Sequence, residues 1–458
     1  MFRILAVALC LLPLPAAAET RAPKSQAEIS LGFAPLVKQA APAVVNIYAK
    51  RIVQTQSPFA GDPFFEDFFR GFGTPRPRVQ NSLGSGVILA EDGIVVSNYH
   101  VVGQATDIRV VLSDRREFSA TVLLGDEESD LAILRLDDAE DLPTLPLRNS
   151  DWVEVGELVL AIGNPFGVGQ TVSSGIVSGL ARSGIATGNA RGYFLQTDAP
   201  INPGNSGGAL IDVNGALIGI NTAILSRSGG SNGIGFAIPS NLVAQFVAQA
   251  RDGQSSFQRP WAGLAGQPVD FDLAGSLGLA TPEGVLISDI HPASPFAEAG
   301  FHVGDVVTEV DGQPVNSPSE MLFRMSVRGI GSDAVVTWRR NGEHSDTKVR
   351  MLIAPDKPPA NETVLSDRTV LPGLTVARIN PQMMARYNLP LNVEGVVVTD
   401  PGPYGGRVGL NPGDILLGIN DAATETPRQV DRALRNPGRR VRMDVVRQGR
   451  RLSLRFRA

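Results

Sequence analysis

The chain has 458 residues, with 41 Lys and Arg against 46 Asp and Glu, a formal charge of −5, four histidines and one cysteine. That length implies several domains rather than one core, and the mildly acidic balance argues against nucleic acid as a principal partner. A lone cysteine excludes a disulfide framework, and no His, Cys, Asp or Glu spacing typical of a metal site occurs, so neither metal nor cofactor is expected. From the N-terminus, Arg3, the apolar run Ile4 to Leu14 and Pro15-Ala16-Ala17-Ala18-Glu19 read as a signal peptide over residues 1–18 with a small-residue cleavage site. The run is too short to span a membrane, and no later segment is long and apolar enough to do so. Cys10 lies inside this segment. The mature chain would therefore lack cysteine, and losing Arg3 takes the charge from −5 to −6.

After an apolar-periodic segment around Leu31 to Ala40, strand patterns alternate with turns up to Ile238, and a helical stretch, Ser240 to Ala250, closes the unit. Many short strands with few helices argue for a β-barrel class. A loop over about 54–81 interrupts them and carries six phenylalanines, Phe59, Phe64, Phe65, Phe68, Phe69 and Phe72. Loops this long are normally functional, and exposed phenylalanines mark contact surfaces. It reads as a binding element, with a tuck against its own barrel as the alternative.

The most telling run is Asn202-Pro203-Gly204-Asn205-Ser206-Gly207-Gly208-Ala209-Leu210, a serine between glycines before an apolar strand. Glycines let the backbone take conformations closed to other residues and leave room for a carbonyl beside the serine oxygen. Such a turn aims backbone N–H groups at one point, as an oxyanion hole requires. Of the four histidines only His100, directly after the strand pattern ending Val95-Val96-Ser97, is well placed as a partner. Asp130, opening the apolar run Leu131 to Leu136, is the candidate orienting acid, with Asp126 as its competitor. The order His, Asp, Ser, each at the edge of a β segment, is that of a chymotrypsin-type triad. The literal G-x-S-x-G reading fails, because Ser206 is followed by a hairpin signal around Asn214-Gly215 rather than by a helix.

These blocks, with Leu83-Gly84-Ser85-Gly86-Val87-Ile88, Ser129-Asp130-Leu131-Ala132, Gly163-Asn164-Pro165-Phe166-Gly167, Gln196-Thr197-Asp198-Ala199 and Gly233-Ile234-Gly235-Phe236-Ala237-Ile238-Pro239, resemble the HtrA/Deg family of serine proteases, of the periplasmic Do-like type. Ala209 stands where that family often has proline, and Tyr99 where threonine or asparagine is common. The resemblance implies a mainly β fold: a chymotrypsin-like double barrel over 19–255, then two PDZ domains. It implies His100 as general base, Asp130 as its orienter and Ser206 as nucleophile, with the N–H groups of Gly204, Asn205 and Ser206 as oxyanion donors. Substrate should pair with the strand Asn221-Thr222-Ala223-Ile224-Leu225, whose apolar members and lack of a nearby acid favour small aliphatic side chains before the cut. The glycine-rich segments Arg182 to Gly192 and Ser226 to Gly233 are expected to order before catalysis. The family further implies the periplasm of a Gram-negative bacterium, unfolded polypeptides as substrates, and a homotrimer that builds larger cages. Its counterpart of the phenylalanine-rich loop reaches into a neighbouring subunit.

The remaining third contains an internal repeat. Gly284-Val285-Leu286-Ile287, Gly304-Asp305-Val306-Val307 and Asp311-Gly312 recur as Gly395-Val396-Val397-Val398, Gly413-Asp414-Ile415-Leu416 and Asn420-Asp421. The copies, 256–354 and 367–458, resemble PDZ domains, which add a C-terminal peptide to a sheet edge and hold its carboxylate on backbone N–H groups. Those loops are expected at Gly263-Leu264 and Gly373-Leu374, although the match to the family's carboxylate loop is imperfect. The proline-bearing segment 355–366 reads as an extended spacer. The basic stretch from Arg439 to Arg457 reads as a terminal hairpin with a solvated face. Two further readings stand beside an ATP-independent endopeptidase of misfolded proteins: a holdase chaperone with proteolysis subsidiary, and a protease cleaving one envelope signalling protein.

Overall fold

The computed structural model describes residues 32–53, 78–164, 169–182, 193–202, 204–224 and 232–457. The signal segment, residues 54–77 of the phenylalanine-rich loop, 165–168, 183–192, and 225–231 with Leu225 lie outside the described residues. Strands β1 (Val44–Val53), β2 (Arg78–Ala90), β3 (Ile94–Ser97), β4 (Asp107–Val111), β5 (Glu117–Asp126) and β6 (Leu131–Leu136) close a barrel in the order β1-β2-β3-β6-β5-β4. A second barrel, in the order β10-β11-β12-β9-β8-β7, joins β7 (Leu158–Gly163), β8 (Thr171–Arg182), β9 (Phe194–Thr197), β10 (Ala209–Asp212), β11 (Leu217–Ile224) and β12 (Gly235–Pro239). Both sheets close on themselves, so inward-facing side chains fill the barrels.

Each barrel has its own hydrophobic interior, and one further cluster spans both. Val44, Val87, Ile94 and Ile133 of the first are wholly buried in the same cluster as Ile162, Ile211 and Ile220 of the second. The helix Ser240–Arg251 buries Leu242, Val243, Phe246 and Ala250, one face at helical spacing, against that cluster. Each such side chain contributes about 1.5–3 kcal/mol of burial, so the seam between the barrels is held as firmly as either interior.

The two repeats fold alike. The first orders its sheet Leu264–Pro268, Val285–Ile290, Val306–Val310, Asp333–Arg340, Glu343–Arg350; the second orders Thr363–Val364, Thr375–Arg378, Val396–Asp400, Ile415–Ile419, Arg440–Arg447, Arg450–Arg457. The repeated Gly-Asp has a physical role in both. Asp305, 1% exposed, takes Nε and Nη2 of Arg340 at 2.6 and 2.8 Å, and Asp414, fully buried, takes Nε and Nη2 of Arg447 at 2.7 and 2.7 Å. A buried carboxylate is tolerated because a planar arginine fork answers both oxygens. The C-terminal basic stretch is the expected hairpin, turning at Gln448 and Gly449, both at positive φ.

The spacer expected over 355–366 instead packs on the second repeat. Ala360 O accepts Arg378 N–H at 2.7 Å, Asp356 Oδ1 accepts Ala360 N–H and Asn380 Nδ2, and Thr363–Val364 adds a strand beside Thr375 and Val376. Unpaired strand edges attract any extended segment nearby, and this one is tethered to the edge it covers. Among the described residues no helix is long and apolar enough to cross a membrane.

Candidate active site

The first barrel supplies two of the three predicted groups. His100 sits in a single helical turn, Tyr99–Val102, directly after β3, and Asp130 lies in the tight link between β5 and β6. Asp130 Oδ1 and Oδ2 are 2.9 and 2.8 Å from His100 Nδ1, and Oδ1 also accepts the His100 backbone N–H at 3.0 Å. The carboxylate is 16% exposed and the imidazole 51%, so the acid is sheltered while the Nε2 side of the ring faces outward. Asn98 Nδ2 donates to the Asp130 carbonyl at 2.9 Å. The competing acid, Asp126, is bound to Arg259 and does not reach His100.

The second barrel supplies the serine. Ser206 occupies the turn between β9 and β10, where Gly204 and Gly207 have φ of +98° and +83°. A Cβ on Gly207 would lie 2.1 Å from the Ser85 carbonyl oxygen, so only glycine fits. β10 follows and pairs with β11 through the Asn214-Gly215 turn, which disposes of the hydrolase-elbow reading. In this conformation Ser206 Oγ donates to the Thr222 carbonyl at 3.0 Å, and no hydrogen bond joins it to His100 among the described residues.

Two further residues, absent from the sequence reading in these roles, tie the parts together. Thr222 Oγ1 donates to Asp130 Oδ2 at 2.5 Å while its carbonyl holds Ser206, so one residue of β11 touches both the candidate acid and the candidate nucleophile. Ser85, fully buried on β2, spans the seam: its Oγ donates to Gly204 O at 2.6 Å and accepts Asn164 N–H at 2.8 Å, and its N–H donates to Ser206 O at 2.9 Å. Ser97, three residues before His100, donates to the Ser85 carbonyl at 2.8 Å. The segment leading to the base is thus linked by hydrogen bonds to the serine turn. The Gly-Ser-Gly motif of β2 was legible, but its partners lie about 80 to 120 residues away and only folding reveals them.

Among the described residues the N–H groups of Gly204 and Ser206 have no acceptor, whereas Asn205 N–H is spent on Asn202 O at 3.0 Å. In this conformation the Asn205 N–H is not free to act as an oxyanion donor. Its carboxamide is 1% exposed and packs where a Cβ on Gly163 would stand, 2.4 Å from Oδ1. Of the expected substrate strand, Asn221 and Thr222 turn their side chains inward, Asn221 Nδ2 donating to Ala209 O at 2.9 Å. Ala223 and Ile224 pair with β12 on one side, while the pairing of β11 with β10 ends at Ile220, and among the described residues no strand pairs with their other edge.

The two carboxylate loops differ. Leu264 opens the edge strand of the first repeat, Gly263 has φ +61°, and the N–H groups of Ala262 and Gly263 have no acceptor among the described residues. Gly373 N–H donates to Leu365 O and Leu374 N–H to Leu371 O, so the cradle expected at these two residues is already closed by the chain's own carbonyls. Among the described residues no cluster of three or more His, Cys, Asp or Glu could hold a metal.

Comparison with known proteins agrees with this architecture. The family described as a trypsin-like peptidase domain matches residues 84–220, and PDZ domains match 251–351 and 395–447. The chain is similar to a probable periplasmic serine protease do/HhoA-like of Haemophilus influenzae, 38% identical over 91% of this chain and 89% of the relative. It is 35% identical to the periplasmic pH-dependent serine endoprotease DegQ of Escherichia coli, covering 91% of this chain and 89% of that protein. The periplasmic serine endoprotease DegP of Escherichia coli is 34% identical, over 94% and 93%. A solved structure of the HtrA-type protease AlgW with decapeptide superposes with a TM-score of 0.53 at 39% identity, covering 71% of this chain and 99% of that one. On the double barrel, the paired PDZ repeats and relatives of matching length, the chain belongs to the HtrA/Deg family of serine endopeptidases.

Proposed function

We propose that His100, Asp130 and Ser206 form the catalytic triad of an ATP-independent endopeptidase that degrades unfolded proteins in the periplasm of a Gram-negative bacterium, after removal of residues 1–18. The observation that carries this reading is the bonded His100–Asp130 pair beside a serine turn with two acceptorless N–H groups. For reaction, Ser206 Oγ turns from the Thr222 carbonyl toward His100 Nε2, which takes its proton as Oγ bonds to the scissile carbonyl carbon. The carbonyl oxygen, now an anion, is received by the N–H groups of Gly204 and Ser206. Asp130 keeps the Nδ1 proton in place and stabilises the imidazolium. His100 then returns a proton to the leaving amine, and water, deprotonated by the same nitrogen, hydrolyses the acyl-enzyme. Once Ser206 has turned away, the Thr222 carbonyl is free for a substrate N–H, and the other edge of Ala223 and Ile224 continues that pairing as an added strand.

Peptide C-termini are assigned to the first PDZ domain, at Gly263 and Leu264, because among the described residues the N–H groups of Ala262 and Gly263 have no acceptor, whereas those of Gly373 and Leu374 are used internally. A trimer, activation by such peptides and holdase activity complete the proposal. The test is degradation of reduced, alkylated casein by the mature chain without ATP or added metal, beside Ser206→Ala. Cleavage lost in the variant supports the triad; equal cleavage by both refutes it. Suppression of aggregation retained by Ser206→Ala supports the chaperone arm, and its loss removes that arm.

A further inference from the structure

The segment joining the double barrel to the first PDZ domain is folded back along the helix Ser240–Arg251. Gln258 N–H donates to Gln249 Oε1 at 2.8 Å, Gln249 Nε2 donates to Gln258 O at 2.9 Å, and Phe257 stacks on Phe246 with ring centroids 4.0 Å apart. This lays Arg259 over the turn that precedes Asp130. Its guanidinium donates to Asp126 Oδ1 at 3.1 Å, Asp126 Oδ2 at 2.5 Å and Ser129 Oγ at 2.7 Å, while Ser129 N–H donates to the same Oδ2 at 2.7 Å. The two charged side chains are only 19% and 14% exposed. A sheltered fork of this kind has a fixed direction as well as an attraction, which lysine would not reproduce.

Asp130 sits at the end of that turn, at φ +52° in the left-handed region, with its N–H on Glu127 O at 3.3 Å. Asn98, the His100 N–H and Thr222 hold it on the barrel side, and the Arg259–Asp126–Ser129 contacts hold the turn on the other. Strained backbone at a functional position persists only when its surroundings enforce it. On its other side Arg259 lines a cavity of about 500 Å³ together with Trp261, Gly263 and Leu264, the carboxylate loop of the first PDZ domain. One side chain therefore borders both the peptide mouth and the turn that carries the triad aspartate.

We infer that Arg259 is a positioning residue for Asp130: by closing the turn Asp126–Ser129 from outside the barrel, it holds the carboxylate on His100. This rests on the triad reading above. Three variants of the full mature chain test it, Arg259→Met, Asp126→Asn and their double, with active sites counted by a fluorophosphonate and kcat and KM measured on an unfolded substrate. A displaced carboxylate lowers kcat about tenfold, in line with the cost of small misplacements, while KM stays within about twofold. The double variant then falls no further than the worse single, because the two substitutions share the Arg259–Asp126 fork. Unchanged kcat in both singles, or losses that multiply and are accompanied by a raised KM, overturns the inference and leaves Arg259 an ordinary domain tether. If Arg259→Met does not fold, Asp126→Asn and Ser129→Ala, which retain the arginine, probe the same contact through kcat. A wild-type chain without Ser206-dependent cleavage overturns triad and inference together; cleavage with wild-type kcat in the variants overturns the inference alone.

Discussion

Replacing Ser85 by alanine removes two hydrogen bonds from a fully buried position, those to Gly204 O at 2.6 Å and from Asn164 N–H at 2.8 Å. Both backbone partners are left unsatisfied in the seam between the barrels, at about 1–3 kcal/mol each. Alanine fills nearly the same volume, so little cavity cost is added, and a total of about 3 kcal/mol is expected. For a unit of this size each kcal/mol lowers Tm by about 2–4 °C, giving a fall of about 6–12 °C. The catalytic effect follows from the same contact. Gly204, at φ +98°, carries one of the two proposed oxyanion N–H groups, and without the Ser85 clamp on its carbonyl the Gly204–Asn205 peptide can rotate and let the adjoining N–H drift. Deleting an oxyanion donor outright costs about 10²–10³ in kcat; a donor loosened but still present is expected to cost about tenfold. Differential scanning fluorimetry and kcat per titrated active site measure the two effects. A Ser85→Ala protein with wild-type kcat and a Tm within about 2 °C of wild type would refute the clamp, since two buried orphans cannot be free of cost.

Thr222→Val deletes the 2.5 Å donor to Asp130 Oδ2 while keeping shape, and a charge-assisted bond of about 1.5–3 kcal/mol predicts a loss of at least tenfold in kcat/KM, largely restored in Thr222→Ser; equal activity in Thr222→Val sinks the assignment. Gly207→Ala places a methyl group 2.1 Å from a backbone oxygen at φ +83° and is expected to abolish fluorophosphonate labelling, so a variant labelled at the wild-type rate contradicts the packing of the serine turn. At Glu157, burial raises the carboxyl pKa, but the Arg148 fork at 2.5 and 2.9 Å and the Glu154 N–H outweigh it, leaving the group below its ordinary 4.5. A lowered folded pKa means stabilisation fully present above 4.5 and lost as pH falls through the folded value. The Tm difference between wild type and Glu157→Gln should therefore be constant near neutrality and shrink in that acid window; a difference that grows on acidification reverses the sign of the argument.

Much of the site was legible because its chemistry is written locally. A serine between glycines, a histidine at a strand end and an acid opening a strand each announce themselves within a few residues, and their order along the chain chose the double barrel over the hydrolase elbow. The Gly-Asp of the repeat was equally visible, because each copy needs a buried carboxylate at the same point of its sheet. Folding alone settled which groups those atoms meet. Asp126 and Asp130 were rivals in sequence, four residues apart, and are separated only because Arg259 arrives from 133 residues away to take one of them. The Asn205 N–H, expected among the oxyanion donors, is turned to Asn202 O in this conformation, and the N–H groups of Gly373 and Leu374, expected as a carboxylate cradle, are taken by Leu365 O and Leu371 O. Ser85 and Thr222 carry no catalytic signature of their own and acquire their roles through contacts with sequence separations of 79 to 119 and 92 residues. Residue identity limits which bonds a group can make; which of them it does make depends on the partners that the closed barrels and the cluster spanning them bring within about 3 Å.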